Sequence, residues 1–115
     1  MNRYAAQGIT NDARDEGKRI AVLTDGARAA RDAFNEITLH AAGALRIHRT
    51  NGAQRIDYPS GGVITIHPNP NHLRGTTADI VYLNGEAERQ VHDQDQWDTL
   101  SAALTTSTHP EIIRA

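Results

Sequence analysis

Apolar residues along this chain fall into short blocks whose spacing alternates between extended and helical. Ile20-Ala21-Val22-Leu23-Thr24 is a continuous run of the kind found in a strand buried on both faces, and Ile80-Val81-Tyr82-Leu83 is a second. Ala44-Leu45-Arg46-Ile47-His48 and Val63-Ile64-Thr65-Ile66-His67 alternate instead, as strands with one covered face do. Helical spacing predicts a weak helix over 2–16, with Tyr4, Ala5, Ile9 and Ala13 on one face and Gly17 at its end. The strongest helical stripe is Ala30, Phe34, Ile37 and Ala41 within 27–42, stopped by Gly43. A third, Trp97, Leu100, Ala103 and Leu104, follows Asp93 and Asp95 as candidate caps, and Glu111-Ile112-Ile113 has room only for a last short strand.

Turn chemistry orders these blocks. Asp25-Gly26 closes the first strand and offers a cap to the helix after it. Strand, helix and the 44–48 segment read as a βαβ unit, hence a parallel pair. Asn51-Gly52 is a strong hairpin signal between RIHRT and QRIDY, and Pro59-Ser60-Gly61-Gly62 turns the chain again. The loop HPNPNHLRGTTA, with two prolines and one glycine, must be irregular. We therefore expect one domain over 1–115: α/β, a two- or three-layer arrangement, with a mixed sheet of five or six strands, a central antiparallel hairpin region, and helices packed on its faces.

Composition narrows the chemistry. Among 115 residues, 12 basic and 14 acidic side chains give a formal charge of -2, so no global field draws nucleic acid or membrane. Cysteine is absent, which removes disulfides, thiolate metal sites and cysteine nucleophiles. Five aromatics are too few for a stacking platform and leave the core to Ile, Val, Leu and Ala. No apolar run approaches a membrane span and the first residues lack the apolar block of a signal peptide, so a cytoplasmic protein is expected.

Within residues 51–87 the motifs Asn51-Gly52, Arg55-Ile56, Ser60-Gly61-Gly62, Ile64, Arg74-Gly75, Ala78-Asp79 and Val81-Tyr82-Leu83 follow one another in a fixed order. That order resembles the segment carrying the Walker B strand in the ATPase core of phage terminase large subunits. The strand RIAVLT and helix ARAARDAFNEI before it are similar to that family's second strand and following helix, and LSAALTTSTHPEII is faintly similar to its coupling segment. The resemblance covers roughly 18–113 and is specific only over 51–87. It implies a P-loop NTPase-like fold, a phage source and a place in DNA packaging.

The departures from that pattern decide the expected chemistry. Nucleotide hydrolysis needs a G-x-x-x-x-G-K-[ST] loop, and none occurs; Gly17-Lys18 is followed by Arg19 and precedes a strand. The family's magnesium-binding aspartate is matched by Asn84, a neutral and weaker ligand, and Gly85 displaces the glutamate to Glu86. No spaced acidic cluster stands in for the nuclease half of a terminase; Asp93, Asp95 and Asp98 share one polar stretch. Asp79, Asn84 and Glu86 thus mark a degenerate Walker B position, with no catalytic residue, metal or cofactor expected. Gly85 reads more simply as a strand-to-helix turn.

Other chemistry-bearing residues have plain readings beside sharp ones. His48, His67 and His72 would make a zinc site with an open position if they converged, but scattered surface histidines are the simpler account. His92 and Asp93, adjacent in sequence, point apart on any regular element. Arg46, Arg49, Arg55 and Arg74 are the one basic grouping, and Arg46 facing Arg55 across a hairpin would contact DNA phosphates nonspecifically. The bland counterpart is a set of solvated charges, paired with Asp57. The expected function is therefore non-catalytic: a short stand-alone relative of the terminase ATPase core that binds a protein partner or DNA. Two alternatives stay open, a structural component of a phage particle or homo-oligomer (hence a virion location), and a nucleotide-binding protein completed by another chain. A small-molecule ligand and a membrane are not expected.

Overall fold

The computed structural model describes residues 1–50 and 52–114. Its elements in order are α1 (Arg3–Glu16), β1 (Arg19–Leu23), α2 (Ala27–Thr38), β2 (Arg46–His48), β3 (Arg55–Asp57), β4 (Val63–His67), β5 (Ile80–Leu83), α3 (Gln94–Ala103) and β6 (Glu111–Arg114). Two 3₁₀ segments, Pro70–Leu73 and Gly85–Gln90, stand between β4 and β5 and between β5 and α3. The six strands form one mixed sheet in the order β2-β3-β4-β1-β5-β6. β4, β1, β5 and β6 run parallel, while β3 is antiparallel to both of its neighbours. The α/β class and the six-stranded mixed sheet are as expected.

Side-chain alternation on the strands divides the core in two. Ile20, Val22, Ile64, Ile66, Ile80 and Tyr82 face α1 and α2, where they meet Ile9, Phe34 and Ile37. Ala21, Leu23, Val81 and Leu83 face the other way, toward Leu73, Ala87, Leu100 and Leu104, with Trp97 packed at the margin. The result is three layers, with β1 central and buried on both faces. That explains why its sequence is a continuous apolar run rather than an alternating one.

Three expectations are corrected. β1 and β2 run in the same direction but are not neighbours, because β4 and β3 lie between them. The α2 crossover therefore passes over two strands, and no βαβ pair forms there. The antiparallel region is lateral, not central: β2 and β3 make one flank of the sheet. On α1 the buried positions are Ala6, Ile9, Thr10 and Ala13, while Tyr4 is exposed. Small side chains face inward because the Ser60–Gly62 turn comes very close. A Cβ placed on Gly62 would lie 1.8 Å from the Ala13 carbonyl oxygen.

Local signals explain most boundaries. α1 is capped by Asn2, whose side chain accepts from the Ala5 amide, and ends at Gly17 with φ 67°. α2 begins after Gly26 without a side-chain cap, so the role expected of Asp25 is not taken. α3 starts with a capping box between Asp93 and Gln96. Between β2 and β3 the Ala53 amide donates to Thr50 O at 2.9 Å, with Gly52 at φ 79°. Asn51, half of the expected hairpin signal, lies outside the described residues. No helix among the described residues is long and apolar enough to cross a membrane.

Candidate functional site

Parallel α/β sheets place ligand sites at the carboxyl ends of adjacent strands whose connections leave on opposite faces. β1 and β4 are such a pair: α2 follows β1 on one face, and the Pro70–Leu73 turn follows β4 on the other. The crevice between their ends is closed by the chain itself. The Thr24 amide and hydroxyl both donate to His67 O, at 2.8 and 3.0 Å, and the Gly26 amide donates to Pro68 O at 2.9 Å. From the Gly85–Gln90 segment the Gln90 side-chain amide donates to Asp25 Oδ1 at 2.5 Å and to Thr24 O at 3.3 Å. Gln90 was not legible as a site residue, since it stands in a polar stretch without periodicity.

The three residues at the degenerate Walker B position are not brought together. Asn84 follows β5 at its carboxyl end, with its amide donating to Leu23 O at 2.9 Å and its carbonyl accepting from Ala87 at 3.1 Å. Gly85, at φ 59°, turns the chain into the 3₁₀ segment, and exposed Glu86 pairs with Arg89 at 2.6 Å. Asp79 stands at the opposite end of β5. There it accepts from the Arg19 amide at 2.9 Å and from the Arg19 guanidinium at 3.2 and 3.1 Å. The guanidinium holds the Asp79 carboxyl well below its usual range, against the raising effect of partial burial. Asp79 is thus a structural tie between β1 and β5.

The four arginines separate as well. Arg46 stands opposite Asp57, and Arg55 opposite His48 and Thr65. Alternation puts Arg46, His48, Arg55, Asp57, Val63 and Thr65 on one side of the β2–β3–β4 flank, the side no helix covers. Arg46 and Arg55 do not face each other; Asp57 intervenes, bound by Arg55 at 2.8 Å and by His48 at 3.3 Å. Arg49 lies on the other side of the sheet, its guanidinium 5.8 Å from the Phe34 ring centroid. Arg74 lines a groove with Asp95 and Asp98. The open half-face therefore carries two arginines and a histidine against one carboxylate. Beside it runs a cleft of about 300 Å³ lined by Arg19, Arg55, Thr65 and Thr76.

At the far end of that half-face two histidines meet, which corrects the reading of scattered surface residues. His67 is 3 % exposed, and its Nδ1 lies 2.7 Å from His72 Nδ1 and 3.2 Å from His72 O. His72 Nε2 contacts Gly52 O at 2.8 Å, and His67 Nε2 contacts Thr65 Oγ1 at 2.7 Å. The partners assign the protons. Gly52 O can only accept, so neutral His72 carries its proton on Nε2 and accepts at Nδ1. His67 then donates from Nδ1, and the Thr65 hydroxyl donates to its Nε2. Burial, then the neighbouring His72, lowers the His67 pKa to about 4. His48 stands apart with Asp57, and no group of three or more His, Asp or Glu side chains is placed to hold a metal among the described residues. His92 is exposed, and Asp93 is occupied in capping α3.

Fold and site together define a three-layer α/β domain with a self-closed crevice at the parallel strand ends and an open, basic half-face on its antiparallel flank. No family model matches the chain, and none of the curated proteins matches it.

Proposed function

We propose that this chain is a non-catalytic relative of the terminase ATPase core, a P-loop NTPase-like scaffold without a phosphate loop, that works by binding another macromolecule. The observation that carries this reading is the crevice between β1 and β4, where Thr24, Gly26, His67, Pro68 and Gln90 satisfy one another. A nucleotide there would have to displace these bonds, and the sequence offers no glycine-rich loop to replace them. Asn84 supplies an amide where a magnesium-holding carboxylate would stand.

The surface assigned to binding is the open half-face with Arg46, His48 and Arg55. Its charge suits a partner that presents negative groups, either DNA phosphates or an acidic protein surface. Fluorescence anisotropy of a labelled DNA duplex across a salt series tests the DNA arm. Two or three phosphate contacts give a log–log salt slope of about −2 to −3, lost in the Arg46→Glu/Arg55→Glu double variant. No binding at low salt removes DNA and leaves the acidic protein surface.

A second reading rests on the sheet edges. β2 and β6 are both uncovered outer strands, and Leu39, Leu45 and Ile47 are exposed around β2. Self-association through these edges would make the chain a component of a homo-oligomer or phage particle. Sedimentation velocity distinguishes it, by a defined oligomer that Ile47→Lys disperses.

A further inference from the structure

We propose that His67 and His72 form a two-imidazole site for a borderline divalent cation, with Zn²⁺ as the probe. Both Nδ1 atoms converge, 2.7 Å apart, while each Nε2 is fixed on an oxygen, Thr65 Oγ1 for His67 and Gly52 O for His72. Metal-bound imidazoles are oriented in this way, with the ligating nitrogen free and the other held by a hydroxyl, carboxylate or backbone carbonyl.

One tautomeric change completes the ligand set. The His67 proton moves from Nδ1 to Nε2, where the Thr65 hydroxyl turns to accept it, and His72 keeps its proton on Nε2. Both Nδ1 lone pairs then face one point, and no net proton is released. Tetrahedral Zn–N bonds of about 2.0–2.1 Å put two nitrogens about 3.3 Å apart, so the rings need to open by about half an ångström. The His72 carbonyl oxygen, 3.2 Å from His67 Nδ1, is near enough to offer a third donor once the rings open. His67 and His72 both line a hollow of about 230 Å³, together with Gln54, Arg55, Thr65 and Thr76, which would admit water to the remaining position. Arg55 is the nearest cation on that hollow, and its guanidinium is turned to Asp57 at 2.8 Å.

The site joins three parts of the chain: the end of β4 through His67, the Pro70–Leu73 turn through His72, and the β2–β3 loop through Gly52. A bound cation would clamp that loop against the sheet, and imidazole ligands select Zn²⁺, Cu²⁺ or Ni²⁺ over Mg²⁺ or Ca²⁺. The site adjoins the far end of the binding half-face proposed above, sharing Thr65 and the hollow beside Arg55 with it, but cation binding does not require that surface to bind a macromolecule.

The test is a Zn²⁺ titration of the full chain against a chromophoric chelator, with histidine ¹⁵N spectra recorded in parallel. One equivalent should bind, with both Nδ1 resonances shifting. His72→Ala, at a half-buried position, should weaken binding about tenfold or more, and Thr65→Val, which keeps both ligands, by about 10–100-fold. His48→Ala, which removes a histidine paired with Asp57, should leave Zn²⁺ binding unchanged. Absence of saturable binding, or binding unaltered by His72→Ala, would overturn the proposal and leave a hydrogen-bonded histidine pair only.

Discussion

Arg19, the first residue of β1, and Asp79, 60 residues on and immediately before β5, are joined through one backbone and two guanidinium hydrogen bonds. The pair lies at the amino ends of these strands, at the far end of β5 from Asn84. Asp79 therefore serves register between two central parallel strands, although its motif suggests a role in chemistry. Asp79→Ala leaves the Arg19 amide without its carboxylate acceptor and the guanidinium with Thr106 Oγ1 alone. It is expected to cost about 2–3 kcal/mol in urea unfolding, the range for hydrogen bonds to charged groups.

The same pair sets an acid limit on stability. In the folded chain the Asp79 carboxyl ionises more readily than at its ordinary value of 3.8. Its stabilisation is complete above about pH 4 and is lost as the pH falls further. Asp79→Asn should flatten the stability curve below pH 4 and leave its shape above that unchanged.

His67 acts in a different window. Its pKa falls from 6.5 to about 4 on folding, so between those values the unfolded chain binds a proton that the folded chain does not. Stability must then fall as the pH drops from about 6.5 to 4, by on the order of 2–3 kcal/mol. Urea midpoints in chelator-containing buffer at pH 7, 5.5 and 4 measure the slope. In His67→Gln that slope should shrink to the contribution of the remaining groups.

Gly62 is required by contact and Gly61 by conformation. The Ser60 hydroxyl donates to Ala13 O at 2.8 Å and accepts from the Gly62 amide at 3.2 Å, drawing the turn onto α1. Gly62→Ala pushes a methyl group into that carbonyl and is expected to cost about 3 kcal/mol or more. Gly61, at φ 91° in open space, should lose only about 1–2 kcal/mol as alanine. Thermal melts of the two variants separate the effects.

Much of the architecture was legible because local rules and burial agreed. The apolar run of β1 announced a strand covered on both faces, and Ala30, Phe34 and Ile37 are buried on α2 as their spacing predicts, while Ala41 is buried beyond the helix, which ends at Thr38 rather than at 42. Strand order was not legible, since pairing between β1 and β4 depends on contacts more than 40 residues apart that periodicity does not encode. On α1 the expected Ile9 and Ala13 are buried, but Tyr4 is exposed and Ala6 and Thr10 complete the inward face, which the Gly62 turn meets at the Ala13 backbone. The arginine grouping dissolved for a related reason: residues 46 and 49 differ in parity and so leave a strand on opposite faces. Thr65 and His67, two apart on β4, carried the one signal that could have placed a histidine on a shared face. Nothing in the loop sequence fixed His72 against it.

The account stands most directly on the closed crevice. Isothermal titration of ATP and ADP with magnesium, on the natural chain and on Asn84→Asp, measures whether nucleotide enters there. The account predicts no binding heat for the natural chain, and none for Asn84→Asp, because restoring one carboxylate does not open the Thr24–His67 and Gln90–Asp25 bonds. Saturable, magnesium-dependent binding in the micromolar range by either protein would contradict it and assign this scaffold a working phosphate site.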